Sequence, residues 1–205
     1  MGHRIALLVT GASGMLLPRH FLRVVAPLAS VERIHLVVSA GASQVLRHEL
    51  GREQTGAHDL VEAAGLEAGS REKVVIHRDN ELDAVIASGS HRLSGTVALP
   101  CSSGTLGAFA TGSARTLVHR AGAVALKERW PFVVGFRETP LNLVHLENLR
   151  RLAYAGVVIL PPIPAFYIGG ESLERFLDAY ALRVLDHLGM APPAAAGLRW
   201  REEEA

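Results

Sequence analysis

The chain has 205 residues, 49% hydrophobic and 20% charged, and its 21 Lys/Arg against 20 Asp/Glu give a formal net charge of +1. That length suits one α/β domain spanning residues 1–205, and the even balance of signs gives no footprint for nucleic acid or for an anionic membrane. The single cysteine, Cys101, leaves no pair for an internal disulfide and fits a reducing compartment. Met1–Arg4 leads straight into a short strand-like run, with no leader-like apolar region behind it, and no apolar run reaches membrane-spanning length. The expected setting is therefore cytoplasmic. Mean hydropathy is +0.22, an apolar excess that a large oligomer interface would account for.

Arg4–Thr10 (RIALLVT) is a near-continuous apolar run, the pattern of a parallel strand buried on both faces. Gly11-Ala12-Ser13-Gly14 follows, then a helix with Leu17, Phe21, Val24, Val25 and Leu28 at helical spacing. Strand, glycine-flanked turn and helix form an arrangement suited to cradling a phosphate or cofactor, because glycine admits close backbone approach and a helix start presents free N–H groups. The full GxGxxG spacing of a dinucleotide site is absent, and a plain tight βα turn is the alternative.

Arg33–Ser39 reads as a second strand ending in Ser39-Ala40-Gly41, with Gln44–Gly51 helical and a short helix at Asp59–Ala64. Lys73–His77 is a third strand, and Asn80–His91 a loop with a helical turn. Thr96–Pro100 is a fourth strand. Cys101-Ser102-Ser103-Gly104-Thr105 precedes one helix over Leu106–Ala121, where capping by Ser103 or Thr105 is the bland reading. If that helix continues, Arg120 and Lys127 share a face two turns apart; Gly122 is the residue that would break it. Val157–Leu160 is a sixth strand, followed by the proline-rich stretch to Phe166-Tyr167. A last helix, Ser172–Leu188, carries one apolar stripe and stops at Gly189. Arg199-Trp200 precedes an acidic tail, Glu202–Glu204. Strands alternating with helices predict a doubly wound, Rossmann-like three-layer sandwich on a six-stranded, mostly parallel sheet.

The fifth strand organises the rest. Phe132–Phe136 runs into Arg137-Glu138, with Thr139 as expected N-cap and Pro140 at the first helical position. An arginine and a carboxylate thus sit at the carboxyl end of a strand, where open α/β sheets bind ligands. A structural salt bridge that fixes the strand–helix turn is the competing reading. The ten histidines show no HExxH or Cys-paired spacing, and neither GxSxG nor GxxxxGK[ST] occurs. What remains is a set of Ser/Gly turns and the cations Arg120, Lys127, Arg137 and Arg183, the last of which reads equally well as a surface residue.

Lys127-Glu128-Arg129, then Arg137-Glu138-Thr139-Pro140-Leu141-Asn142, then His145-Leu146-Glu147-Asn148, resembles the signature of the flavin prenyltransferases (UbiX-like proteins), within the wider group of flavin-binding cysteine decarboxylase-like proteins. The resemblance runs from Arg4 to about Leu188. It implies FMN, in reduced form, against Gly11, Ala12, Ser13, Ser39, Ser102, Ser103, Gly104, Thr105 and Arg137. It implies dimethylallyl phosphate held by Arg120, Lys127, Arg137, Tyr167 and Arg183. Glu138, Ser13 and Lys127 fall at catalytic positions, and no metal is required. The implied product is the prenylated flavin used by UbiD-type decarboxylases, in ubiquinone biosynthesis among other routes. The implied assembly is a homo-oligomer, commonly a dodecamer, with sites between subunits. Two departures stand out: Ser102-Ser103-Gly104-Thr105 where many relatives have Ser-Met-Lys-Thr, and Leu82 where relatives often carry tryptophan.

Two rivals share the fold. A cysteine decarboxylase-like oxidoreductase would carry a histidine after an early strand–helix turn and a PxMNxxM-like segment; this chain has Ser39-Ala40-Gly41 and Glu138-Thr139-Pro140-Leu141-Asn142 there. A non-catalytic carrier of prenylated flavin would have no use for Glu138, Lys127 and Arg183 together.

Overall fold

A computed structural model of the chain describes residues 2–51, 56–166 and 172–190. Six strands form one sheet: β1 (His3–Val9), β2 (Val31–Val38), β3 (Val74–Arg78), β4 (Gly95–Cys101), β5 (Phe132–Phe136) and β6 (Val158–Ile159). Their order is β3-β2-β1-β4-β5-β6, and every pairing is parallel. The expected doubly wound sandwich is thus the observed fold, and its sheet is wholly parallel where "mostly" was expected.

The apolar runs explain the layers. Side chains alternate along β1, so Ile5, Leu7 and Val9 enter one apolar layer while Ala6 and Leu8 enter the other. On the first face pack α1 (Leu16–Val25), α3 (Ala57–Ala63) and α8 (Leu173–His187). Phe21 of α1 is fully buried there, a burial worth about 2–3 kcal/mol. On the second face lie α5 (Ser103–Thr111), α6 (Leu117–Glu128) and the 3₁₀ turn Val85–Ala87. The remaining helices are α2 (Ala40–Leu50), α4 (Ala68–Arg71) and α7 (Leu143–Tyr154).

Several boundaries differ from expectation, among them the start of α2 at Ala40 where Gln44 was expected, and two bear on the site. The single helix expected over Leu106–Ala121 is two, α5 and α6, because Gly112 takes a left-handed φ of 71° and closes α5. Thr116 then starts α6 by accepting from His119 N at 3.4 Å. Gly122 does not break α6. It lies inside the helix with the Phe109 ring over the space a Cβ would fill. The helix after β5 starts later than Thr139-Pro140: its N-cap is Asn142, whose Oδ1 accepts from His145 N at 2.9 Å. Residues 137–141 are therefore loop, free to present side chains at the sheet edge.

Strand order reverses direction between β1 and β4, which makes their carboxyl ends the switch point where such sheets bind ligands. Thr10 ties that point together. Its hydroxyl donates to Pro100 O at 2.9 Å and accepts from Ser102 N at 2.8 Å.

Candidate active site

Three turns meet at the carboxyl edge. Gly11 follows β1, and a Cβ there would come within 3.0–3.2 Å of the Gly41 backbone, so the close approach of the β1 turn to the segment after β2 depends on glycine at position 11. Ser39 caps α2, accepting from Ala42 N at 3.2 Å. Ser102, rather than Ser103 or Thr105, caps α5: its Oγ accepts from Thr105 N at 3.4 Å and donates to Thr105 Oγ1 at 3.1 Å. Two helix starts, with N–H groups that have no intrahelical acceptor, thus follow the strands on either side of β1. A Cβ on Gly104 would meet nothing within 4 Å, so the start of α5 is open to an approaching ligand.

The start of α1 is different. Glu49, on α2, accepts from Gly14 N at 3.0 Å and from Met15 N at 2.7 Å. A carboxylate already fills the anion position there, so the Gly11–Gly14 turn suits a cofactor ring and not a second phosphate. Glu49 is a site residue that the sequence reading missed: the contact spans 35 residues and belongs to no motif.

Arg137 and Glu138 close the edge from β5. Arg137 Nε donates to Ser13 O at 2.9 Å, bridging the ends of β5 and β1. Glu138 accepts from Ser103 Oγ at 2.9 Å and from Thr139 N at 3.1 Å. The Ser103 hydroxyl first, then the Thr139 N–H, hold the Glu138 carboxyl below its ordinary value, with Arg137 and His145 adding to the effect. The carboxylate is ionised and solvent-facing, so it can accept a proton, although the same contacts weaken it as a base. Beside this turn lies a cleft of about 450 Å³ lined by Ser13, Glu49, Arg137, Pro162, Leu173 and Phe176. Apolar side chains of α1 and α8, among them Leu16, Leu17 and Leu177, face the polar Ser13, Glu49 and Arg137 across it, a lining suited to a planar ligand with one charged end.

The structure therefore brings together Gly11, Ala12, Ser13, Ser39, the Ser102–Thr105 turn, Arg137 and Glu138. It does not bring the other cations to them within one chain. Arg120 lies one turn into α6, its Nε donating to Ala87 O at 3.0 Å. Lys127 pairs with Glu128 at 2.6 Å near the opposite, amino edge of the sheet. Arg183 is exposed on α8, 3.8 Å from Asp186, and ten residues beyond Leu173, about 15 Å along the helix. Tyr167, Trp200 and the acidic tail lie outside the described residues. Among the described residues no group of three or more His, Cys, Asp or Glu is arranged to hold a metal ion, and no helix is long and apolar enough to cross a membrane.

A parallel sheet with small-residue turns and an arginine at its switch point defines a mononucleotide-cofactor protein, and the sequence profile of the Flavoprotein family matches residues 1–174. The flavin prenyltransferase UbiX of Synechocystis sp. is 40% identical over 196 residues, covering 93% of each chain. Among solved structures, a dodecameric FMN-dependent UbiX-like decarboxylase from Escherichia coli O157:H7 superposes with a TM-score of 0.83 at 34% identity, over 97% of this chain and 99% of that one. AnUbiX (PadA1), solved with FMN and dimethylallyl pyrophosphate, superposes with a TM-score of 0.81 at 34% identity, over 98% of both chains. The chain belongs to the flavoproteins, in their family of UbiX-like flavin prenyltransferases.

Proposed function

We propose that this chain transfers a dimethylallyl group from dimethylallyl phosphate to reduced FMN, bonding first N5 and then C6 and releasing phosphate, and that its product serves UbiD-type decarboxylases. The observation that carries the reading is the Arg137–Glu138 turn, locked to Ser13 and Ser103 at the switch point. Reduced FMN supplies a nucleophilic nitrogen and an electron-rich ring.

The protein's own residues do the rest. The starts of α2 and α5, with Ser39 and Ser102–Thr105, receive the flavin phosphate. Arg137 sits over the β1 turn, where Gly11, Ala12 and Ser13 let the ring approach. As the alkene carbon of the N5-linked unit bonds to C6, its neighbouring carbon takes up a proton and Glu138 accepts the one that leaves C6, with Ser13 beside it to relay protons at the donor phosphate. A monophosphate leaving group needs positive charge, and Arg120, Lys127, Arg137 and Arg183, with Tyr167, supply it without a metal. Three of those cations lie away from Glu138 in one chain, so neighbouring copies of a homo-oligomer bring them to it. The E. coli relative's dodecameric assembly supports that arrangement.

The test is an anaerobic incubation of purified protein with reduced FMN and dimethylallyl phosphate. The flavin should be released heavier by one five-carbon unit. Unchanged flavin mass, together with decarboxylation of a peptidyl cysteine thiol, would replace this reading with the cysteine decarboxylase-like one.

A further inference from the structure

Three histidines far apart in sequence meet under the loop that joins β3 to β4. His35 and His77 lie on adjacent strands and the same face of the sheet; each is at most 8% exposed. His35 Nδ1 and His77 Nε2 are 2.9 Å apart, and the rings stack at 5.2 Å. His91, from the loop, packs edge-on to His35 at 5.3 Å. On its other side, His77 Nδ1 faces Glu81 at 3.9 Å. The Glu81 carboxylate favours the tautomer with the proton on His77 Nδ1, in which His77 Nε2 accepts and His35 Nδ1–H donates. His35 Nε2 and His91 Nε2 are buried with no hydrogen-bond partner. An added proton finds no acceptor there.

The loop is built outward from this array. Arg78 N donates to Glu81 Oε2, Ala84 N to Glu81 O, and Ala87 N to Ala84 O. Ala87 O then receives Arg120 Nε at 3.0 Å. One continuous set of contacts runs from the imidazoles to a cation assigned to the prenyl phosphate.

We propose that the His35–His77–Glu81 array is a proton-sensitive brace: neutral, it holds the β3–β4 loop closed and Arg120 in place, and acid releases both. The part concerning Arg120 rests on the function proposed above. The charged groups around the array set the direction. Arg4 on β1 and Arg33 on β2 oppose a proton on His35, as do His77 and His91, while Glu81 alone favours one on His77. From α6, His119 answers instead to Asp79 and Arg115. Burial pushes His35 down to about 4 and lowers His77 too. An opened loop returns both rings to water and to ordinary values, so acid favours the open state. For His35 alone the bias at pH 5 relative to pH 8 is roughly thirtyfold.

Hydrogen exchange of the free protein tests this without flavin or donor, so its result does not depend on the proposed reaction. Corrected for intrinsic rates, protection of amides 80–91 should drop about thirtyfold from pH 8 to pH 5. In His35→Gln the step should flatten. In Glu81→Gln, which keeps all three rings, it should deepen and reach further into acid, because the one group that favours a proton on closed-state His77 is gone. Constant protection in the native protein, or the same step in His35→Gln, would overturn the brace. With the enzyme assay, the KM for dimethylallyl phosphate should rise in acid while FMN affinity holds, and this rise should be lost in His35→Gln. A KM rise that persists there would remove Arg120 from the proposal.

Discussion

The carboxyl edge of the sheet and the cations assigned to the donor phosphate are organised in opposite ways. At the edge, each group is fixed by a neighbour from another strand or helix: Arg137 by Ser13, Glu138 by Ser103, Glu49 by Gly14 and Met15, Thr10 by Pro100 and Ser102. Two of the cations have no such frame, whereas Arg120 is held by Ala87 O. Lys127 holds only the adjacent Glu128, and Arg183 only a loose contact one turn on. Exposed pairs of this kind contribute little to stability. The contrast supports the proposed reading, in which one chain forms the flavin cradle and other copies of a homo-oligomer bring the donor cations to it. Exposed apolar side chains agree with a covered surface: Leu143, Val144 and Tyr154 on α7, and Phe166, are each at least 66% exposed in the isolated chain.

The sharpest break in the cradle is Glu138→Gln. It keeps the shape and a contact for Ser103 but loses the base, so FMN binding should hold while prenylation slows by roughly 10- to 1000-fold, as read in single-turnover mass spectrometry. An unaltered rate removes Glu138 from the chemistry. Arg183→Ala probes the other half. The KM for dimethylallyl phosphate should rise about tenfold or more with flavin affinity unchanged, and a loss of flavin affinity instead would reassign the residue to the cradle.

Beneath both regions, the β2–β3 side sets an acid limit. His35 sits below its ordinary value of 6.5 when folded, so its contribution to stability is complete above pH 6.5 and fades as pH falls from there to about 4. Urea unfolding at pH 7.5 and pH 4.5 should differ by up to about 3 kcal/mol from this ring, and His35→Gln should shrink the difference. The smallest effect expected is on packing alone. Gly122→Ala presses a methyl group into the Phe109 ring and should cost about 1–3 kcal/mol in unfolding experiments with flavin affinity unchanged.

Much of this was legible in the residues. Apolar runs such as Arg4–Thr10 and Phe132–Phe136 announce buried parallel strands because both faces of the sheet are covered, and the observed β5 has the expected ends. The turns after them are readable because Ser, Gly and Thr at a strand end admit few other roles. Where a helix stops was harder. Gly112 ends a helix and Gly122 lies inside one, and only the ring of Phe109, thirteen positions from Gly122, explains the second. The N-cap at Asn142 rather than Thr139 had the same cause, two capping-competent residues three apart. Glu49 and the three histidines were illegible for a different reason. Their meaning depends on contacts across 35 and 42 residues, which no local spacing encodes.

The division between a finished cradle and a borrowed donor half is tested most directly by mixing defects. Glu138→Gln and Lys127→Ala, each expected to be slowed alone, are co-expressed as mixed oligomers and assayed for prenylated FMN. Activity should return, because some sites then join an intact Glu138 from one copy with an intact Lys127 from another. Mixed oligomers as slow as either parent would mean that both residues serve the same chain, and would contradict the account.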